Sequence, residues 1–190
     1  MGKFITNTEL AQLAKVYSIE LAALKAVIEV ESRGDGFYDD GLPVVLFEGH
    51  QFHKFTRGKF DKSHPELSYP TWTTKWYKYN QPDRVDEAAE LDFKAAILST
   101  SWGCMQVMGF NYKLVGFETP ETFAQAMFIS EYNQIKAGLD YIVNAGLLPE
   151  IRTKSWRSFA RGYNGREYEK NNYHVKLQTV YNKYNHANLG

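Results

Sequence analysis

The sequence predicts a mainly α-helical single domain over residues 1–190, with one long irregular region and a short β element. Three observations predict it. Apolar residues recur at helical spacing on both sides of the chain's middle. Residues 34–82 break that pattern with Gly34, Gly36, Gly41, Gly49, Gly58 and four of the six prolines. Within this region a single apolar run, LPVVLFE, has the length and composition of a strand.

The elements follow in order. Asn7 or Thr8 is expected to cap a helix carrying Leu10, Leu13 and Val16, and Ser18 to cap the next, which ends between Glu31 and Arg33 before Gly34. After the irregular region, whose length in a compact domain points to function, a helix resumes beyond Asp86 through VDEAAELDFKAAILS. The glycines of STSWGCMQVMGFNY, residues 99–112, interrupt both helical and strand periods. Thr119 as cap and Pro120 in the first turn open a long helical segment to about Asn144, with Gly138 as its expected break. A helix near 154–161 precedes GYNG. Tyr173, Leu177, Val180, Tyr181 and Tyr184 mark a last amphipathic helix. Internal repeats, low-complexity tracts and linkers are not evident.

Two glutamates in ALKAVIEVESRGDGF, residues 23–37, are separated by geometry. At about 100° per residue, Val27, Ile28 and Glu31 fall within roughly 60° of Leu24, so Glu31 faces the core. Glu29 lies on the opposite side, four residues after Lys25, where the two are placed to pair in solvent. A glutamate turned inward is costly without a partner. A core salt bridge, a capping contact, a frayed helix end and a catalytic role all account for it. Chemistry would require a carboxyl kept protonated near neutrality by desolvation.

Bulk composition narrows the function classes. Lys plus Arg and Asp plus Glu balance at 22 each. Zero formal net charge argues against non-specific nucleic-acid binding and gives no general pull toward anionic surfaces. A single cysteine, Cys104, excludes an internal disulfide and a cysteine-based zinc site and agrees with synthesis in a reducing cytoplasm. MGKFITNTELAQLAK lacks an apolar run of signal-peptide length, and the chain lacks an 18-residue apolar stretch. No stable membrane association is therefore expected, and a target beyond the membrane requires separate passage.

Three blocks in order, Glu31-Ser32, SWGCMQVMG at 101–109 and ARGYNG at 160–165, resemble those of the lysozyme superfamily as seen in soluble lytic transglycosylases and goose-type lysozymes. A closer resemblance runs over nearly the whole chain. AVIEVESRGDGF, PVVLFEGHQFHKFTRGKFDKSHPELSYP, AAILSTSWGCMQVMGFNYKLVGF and FARGYNGREYEKNNYHVKL are together similar to the N-acetylmuramidase domain of modular phage endolysins. The resemblance implies a lysozyme-like helical domain, a catalytic acid at Glu31, and a further site glutamate at Glu48. Two departures stand out. The matching blocks begin near the start of this sequence, so a single catalytic domain without a preceding peptidoglycan-binding module is expected. Gly49 also stands where many relatives have Arg, between Glu48 and His50.

The chemistry implied is cleavage of the β-1,4 bond between N-acetylmuramic acid and N-acetylglucosamine in peptidoglycan glycan strands. It needs a proton for the leaving oxygen and support for an oxocarbenium-like transition state. By the resemblance, Glu31 would supply the proton as general acid. Glu48 is the second carboxyl, and its distance from Glu31 would separate retention, at about 5 Å, from inversion, at about 6.5–9.5 Å.

For substrate binding, Gln106 is placed to bond a sugar acetamido group with help from Ser101, or else to fix the adjoining turn. Tyr163 and Asn164 are placed to touch the sugar or Glu31, or Asn164 simply accepts the left-handed backbone of a helix end. Trp102, Phe110 and Tyr112 offer rings for pyranose faces, with core packing as the alternative. His50 is expected to line the cleft or serve structure. The order E-x-H-x-x-H of Glu48, His50 and His53 fits no common zinc pattern, so neither metal nor cofactor is expected. Cys104 in an apolar block reads as an inert buried thiol.

A monomeric lysis enzyme made in the host cytoplasm and acting on the wall after membrane permeabilisation is the first reading. A lytic transglycosylase, a non-catalytic wall-binding module and a secreted antibacterial effector are the alternatives.

Overall fold

A computed structural model describes residues 2–32 and 34–187. Arg33, one expected limit of the second helix, lies outside the described residues. The architecture is mainly helical with a small sheet, and no helix among the described residues is long and apolar enough to cross a membrane.

Helix α1 (Asn7–Val16) is capped by Thr6, not Asn7 or Thr8. Thr6 accepts from Glu9 N–H while the Glu9 carboxylate returns to the Thr6 backbone, satisfying two end donors at once. Ser18 takes a left-handed backbone (φ 52°) in the turn, and Glu20 holds the cap position of α2 (Leu21–Glu31) without a side-chain bond. Leu24 and Val27 are fully buried, Ile28 is half-buried and packed on the core, and Ala22, Ala23 and Ala26 are also buried. The wider apolar surface is explained by α1 on one side and α10 (Tyr173–Ala187) on another.

The irregular region holds more structure than its glycines suggest. Strand β1 (Val45–Phe47) lies in it, followed by α3 (Gly49–Thr56), which stops at Arg57 in a left-handed conformation. Helix α4 (Gln81–Leu91) starts five residues before Asp86 with Pro82 in its first turn. The helix expected to run on from there divides at Asp92, whose carboxylate accepts from Ala95 N–H at 2.9 Å and opens α5 (Phe93–Leu98).

Strands β2 (Thr100–Trp102) and β3 (Val107–Met108) complete an antiparallel sheet of order β1-β2-β3. Its register pairs Leu46 with Ser101 and Ser101 with Met108. The glycine-rich stretch is therefore a hairpin leading into a single 3-10 turn at Gly109–Asn111.

The segment 120–144 is two helices, α6 (Pro120–Ile129) and α7 (Glu131–Asn144). The break falls at Ser130, which caps α7, and not at Gly138. Gly138 sits inside α7 because a Cβ there would stand 2.7 Å from the Met105 side chain. Helices α8 (Leu148–Arg152) and α9 (Trp156–Asn164) lead to α10.

The main core joins Leu13, Leu24, Val27, Phe123, Met127, Ile135, Leu139, Ile142, Phe159 and Leu177. A satellite core of Phe47, Phe52, Phe60 and Leu67 against Ala88, Ala95 and Ala96 supports the sheet's outer end. Gln134, fully buried on α7, ties elements on either side of the main core. Its Oε1 accepts from Cys104 N–H at 2.9 Å, and its Nε2 donates to the carbonyls of Gly36 at 3.1 Å and Met127 at 2.9 Å. Gly36 and Gly103 permit that approach, since a Cβ at either would collide with the amide.

Candidate active site

Glu31 is the last residue of α2, and its carboxyl opens into a cavity of about 280 Å³. Gln106, Val107 and Met108 of the hairpin, with Met105 and Asn111, form one side. Tyr163 and Asn164 of α9, with Tyr141 and Tyr173, form the other. Among the described residues lining it, Glu31 carries the one carboxyl.

Asn164 Nδ2 donates to Glu31 Oε1 at 3.0 Å. Helix α9 ends at this asparagine because Gly165 takes φ 77°, so Asn164 stays helical and aims its amide across the groove. Burial raises the Glu31 carboxyl from its ordinary 4.5 to about 7; the Asn164 bond and, at longer range, Lys176 oppose that rise. Its place on the final turn, where the helix dipole is negative, disfavours the charged form as well. Near neutrality the cavity therefore holds a carboxyl with a proton to give. The inward direction read from the helical period holds. The paired surface glutamate differs from expectation: Glu29 bonds Lys183 and Tyr184 of α10, while Lys25 lies over the Tyr184 ring.

Tyr163 stacks on Phe159 at 5.4 Å and meets Tyr141 edge-on at 6.0 Å, which fixes its ring in the wall. Burial first, and the Glu31 charge second, raise its phenol, so it remains a neutral donor. Gln106 lines the cavity in a left-handed backbone (φ 50°). Its amide is held in the hairpin: Oε1 accepts from Ser101 Oγ at 2.9 Å, and Nε2 donates to Gly103 O at 2.8 Å. Ser101 is buried and reaches the cavity only through that contact.

Three expected sugar platforms do not line this cavity. Trp102 is buried, with its indole N–H on Ile97 O at 3.2 Å and its ring against Phe128. Phe110 is partly exposed but leans on Phe55, and Tyr112 packs on the main core. In each case tertiary packing claims the ring.

Glu48 stands one residue past β1 and outside the Glu31 cavity. Its backbone N–H bonds Ser99 O at 2.9 Å, so the sheet fixes its position. Tyr77 Oη donates to its Oε1 at 2.7 Å, and His50 Nδ1 lies 3.3 Å from its Oε2. His50 thus attends Glu48, with Gln51 on its other ring nitrogen at 3.0 Å. His53 bonds Asp61 instead. Gly49 has a steric reason: a Cβ there would stand 2.3 Å from the Tyr69 ring and 2.7 Å from Leu67 O. Gly49→Ala is expected to cost about 2 kcal/mol, read by urea unfolding. An unchanged midpoint would show that Tyr69 moves aside freely.

Cys104 is buried and its thiol is pushed up to about 12, chiefly by burial, which suits an inert core group. The sequence reading missed Met105, Met108, Asn111, Tyr141 and Tyr173 as lining residues, and Tyr77 as the partner of Glu48. Tyr77 lies where no periodicity exists to orient it. Tyr173 sat on a predicted amphipathic face, which was a usable signal.

Comparison with known proteins adds two findings. Residues 20–185 match the family model described as N-acetylmuramidase. In three dimensions the chain is similar to the crystal structure of the Burkholderia AP3 phage endolysin, with a TM-score of 0.90 and 32% identity, over 98% of this chain and 73% of that one. No curated protein matches the chain.

Proposed function

The chain belongs to the N-acetylmuramidase family, and on that premise we propose that it hydrolyses the β-1,4 bond between N-acetylmuramic acid and N-acetylglucosamine, with Glu31 as general acid. It is a glycoside-hydrolase-type enzyme of peptidoglycan. The observation that carries the finer reading is the half-buried Glu31 carboxyl, raised to about 7 and oriented by Asn164 at the wall of a groove.

In this proposal a glycan strand occupies the groove with its scissile oxygen at the Glu31 carboxyl. The proton passes to that oxygen as the glycosidic bond breaks, and charge develops on the sugar ring. Asn164 keeps the carboxyl facing the groove and stabilises the anion left behind. Glu48, held by Tyr77 and His50, is the second carboxyl, activating water or holding charge from the sheet side. The structural likeness to an endolysin supports a phage lysis role; in this proposal the enzyme acts as a monomer that meets the wall once the membrane has been breached.

One observation favours a second reading. A cavity lined by a single carboxyl among the described residues suits a lytic transglycosylase, in which one glutamate acts twice and the substrate's own hydroxyl replaces water. Mass spectrometry of digested peptidoglycan separates the two. Reducing N-acetylmuramic ends are expected; 1,6-anhydro ends would move the assignment to the transglycosylase.

Asn164→Ala gives a directional check. Its bond lowers the Glu31 value, so removing it raises that value further. Activity needs the protonated acid, and its fall on the alkaline side is expected to move to higher pH, with kcat down about 10-fold from lost orientation. A limb that moved to lower pH would contradict Glu31 as the titrating acid.

A further inference from the structure

Residues 68–79, SYPTWTTKWYKY, carry five aromatic side chains in twelve positions and form no regular helix or strand. They are nonetheless held firmly. Gln81, buried at the start of α4, donates its amide to the carbonyls of Trp76, Tyr77 and Tyr79. Arg84, also buried, donates to Trp76 O at 3.0 Å and Glu66 O at 2.7 Å. Two buried polar side chains thus serve to present this segment in one shape.

That shape leaves Trp72 59% exposed. Its one polar atom is already engaged, since Nε1–H donates to Tyr77 Oη at 3.2 Å. Tyr77 in turn donates to Glu48 Oε1 at 2.7 Å. The Trp72 ring meets Tyr77 edge-on, with centroids 6.5 Å apart and planes at 82°. Lys75 lies over the Trp76 ring and Lys78 over Tyr79, whereas the Trp72 face offers only apolar surface. Three links then join this ring to the Glu31 cavity. Trp72 reaches Glu48 through Tyr77; Glu48 directly follows β1, whose Leu46 pairs with Ser101 of β2; and Ser101 holds Gln106 in the cavity wall.

We propose that Trp72 is a carbohydrate-stacking residue, seating one sugar ring of a β-1,4-linked N-acetylhexosamine strand beside Glu48, a placement that rests on the glycan-cleaving reading above. The chemistry selects the ligand. A bulky indole left exposed with its donor satisfied can offer only a flat apolar face. β-1,4-linked gluco-configured sugars carry their substituents equatorially, so each ring presents a flat face of C–H groups. Tyr77 couples that contact to Glu48, fixing the distance between the stacked sugar and the second carboxyl.

The test measures binding apart from catalysis. In the Glu31→Gln background, isothermal titration with a soluble N-acetylglucosamine hexamer and with solubilised glycan strands is expected to show Trp72→Ala binding about 10-fold more weakly, with Trp72→Phe within about 3-fold of the parent. In the active background Trp72→Ala is expected to raise KM about 10-fold and change kcat less than 3-fold. Because the ring is exposed, the melting temperature should not move. Equal hexamer and strand affinity for Trp72→Ala and its parent overturns the proposal. So does a Trp72-dependent affinity confined to isolated stem peptides. Should Glu31→Gln prove fully active, the cleavage reading fails while the binding comparison still decides the role of Trp72.

Discussion

Replacing Glu31 with Gln is expected to lower kcat by about 1,000-fold, within the range lost when a general acid is removed, while the protein folds normally. Glutamine keeps the shape and still accepts the Asn164 bond, but it has no proton to transfer. The same variant carries a stability signature. In the native state Glu31 holds its proton up to about pH 7, whereas its ordinary value is 4.5. The native state therefore binds the extra proton between those values, and stability falls as pH rises through that window. The loss amounts to roughly 3 kcal/mol at most by pH 8. Glu31→Gln escapes it, so parent and variant should unfold alike at pH 4 and the variant should be the more stable at pH 8. Urea titrations at the two pH values check this. A variant that loses more than about 2 kcal/mol at pH 8 would instead mark Glu31 as part of a core ion pair.

Gln134→Leu is expected to destabilise the fold by about 3 kcal/mol, because it takes the Gln134 amide from buried Cys104 N–H and the Met127 carbonyl and leaves the Gly36 carbonyl with Val44 N–H alone. Leucine fills similar volume, so the effect isolates the polar bonds from packing. The damage should reach the site, since Gly36 follows the Glu31 helix and Cys104 opens the turn that carries Gln106. Chemical denaturation measures the loss. A change below 1 kcal/mol would mean that these groups find other partners.

What the sequence disclosed follows the range of its signals. The inward turn of Glu31 was legible because it depends on residues within two helical turns. The partner of Glu31 was named only as one of two roles for Asn164, since nothing local fixes a contact across 133 residues. Glu29 shows the converse: its helical neighbour Lys25 was available, yet Lys183 and Tyr184 of a packed helix took the contact. Gly138 drew attention as a breaker although Ser130 had the better cap chemistry, and its smallness serves Met105. The aromatic rings divide for the same reason. Trp102 and Trp72 look alike in sequence, but one lies in the core and the other faces solvent.

The bond between Glu31 and Asn164, with α10 packed along α2, also governs when the protein can first act. In the proposed mechanism, a nascent chain with α9 still in the exit tunnel has Glu31 but not the groove, and closing so long a loop slows its completion. On the proposed mechanism, fragments clipped before residue 164 are therefore expected to be inactive, and activity is expected only once α9 and α10 have joined α2.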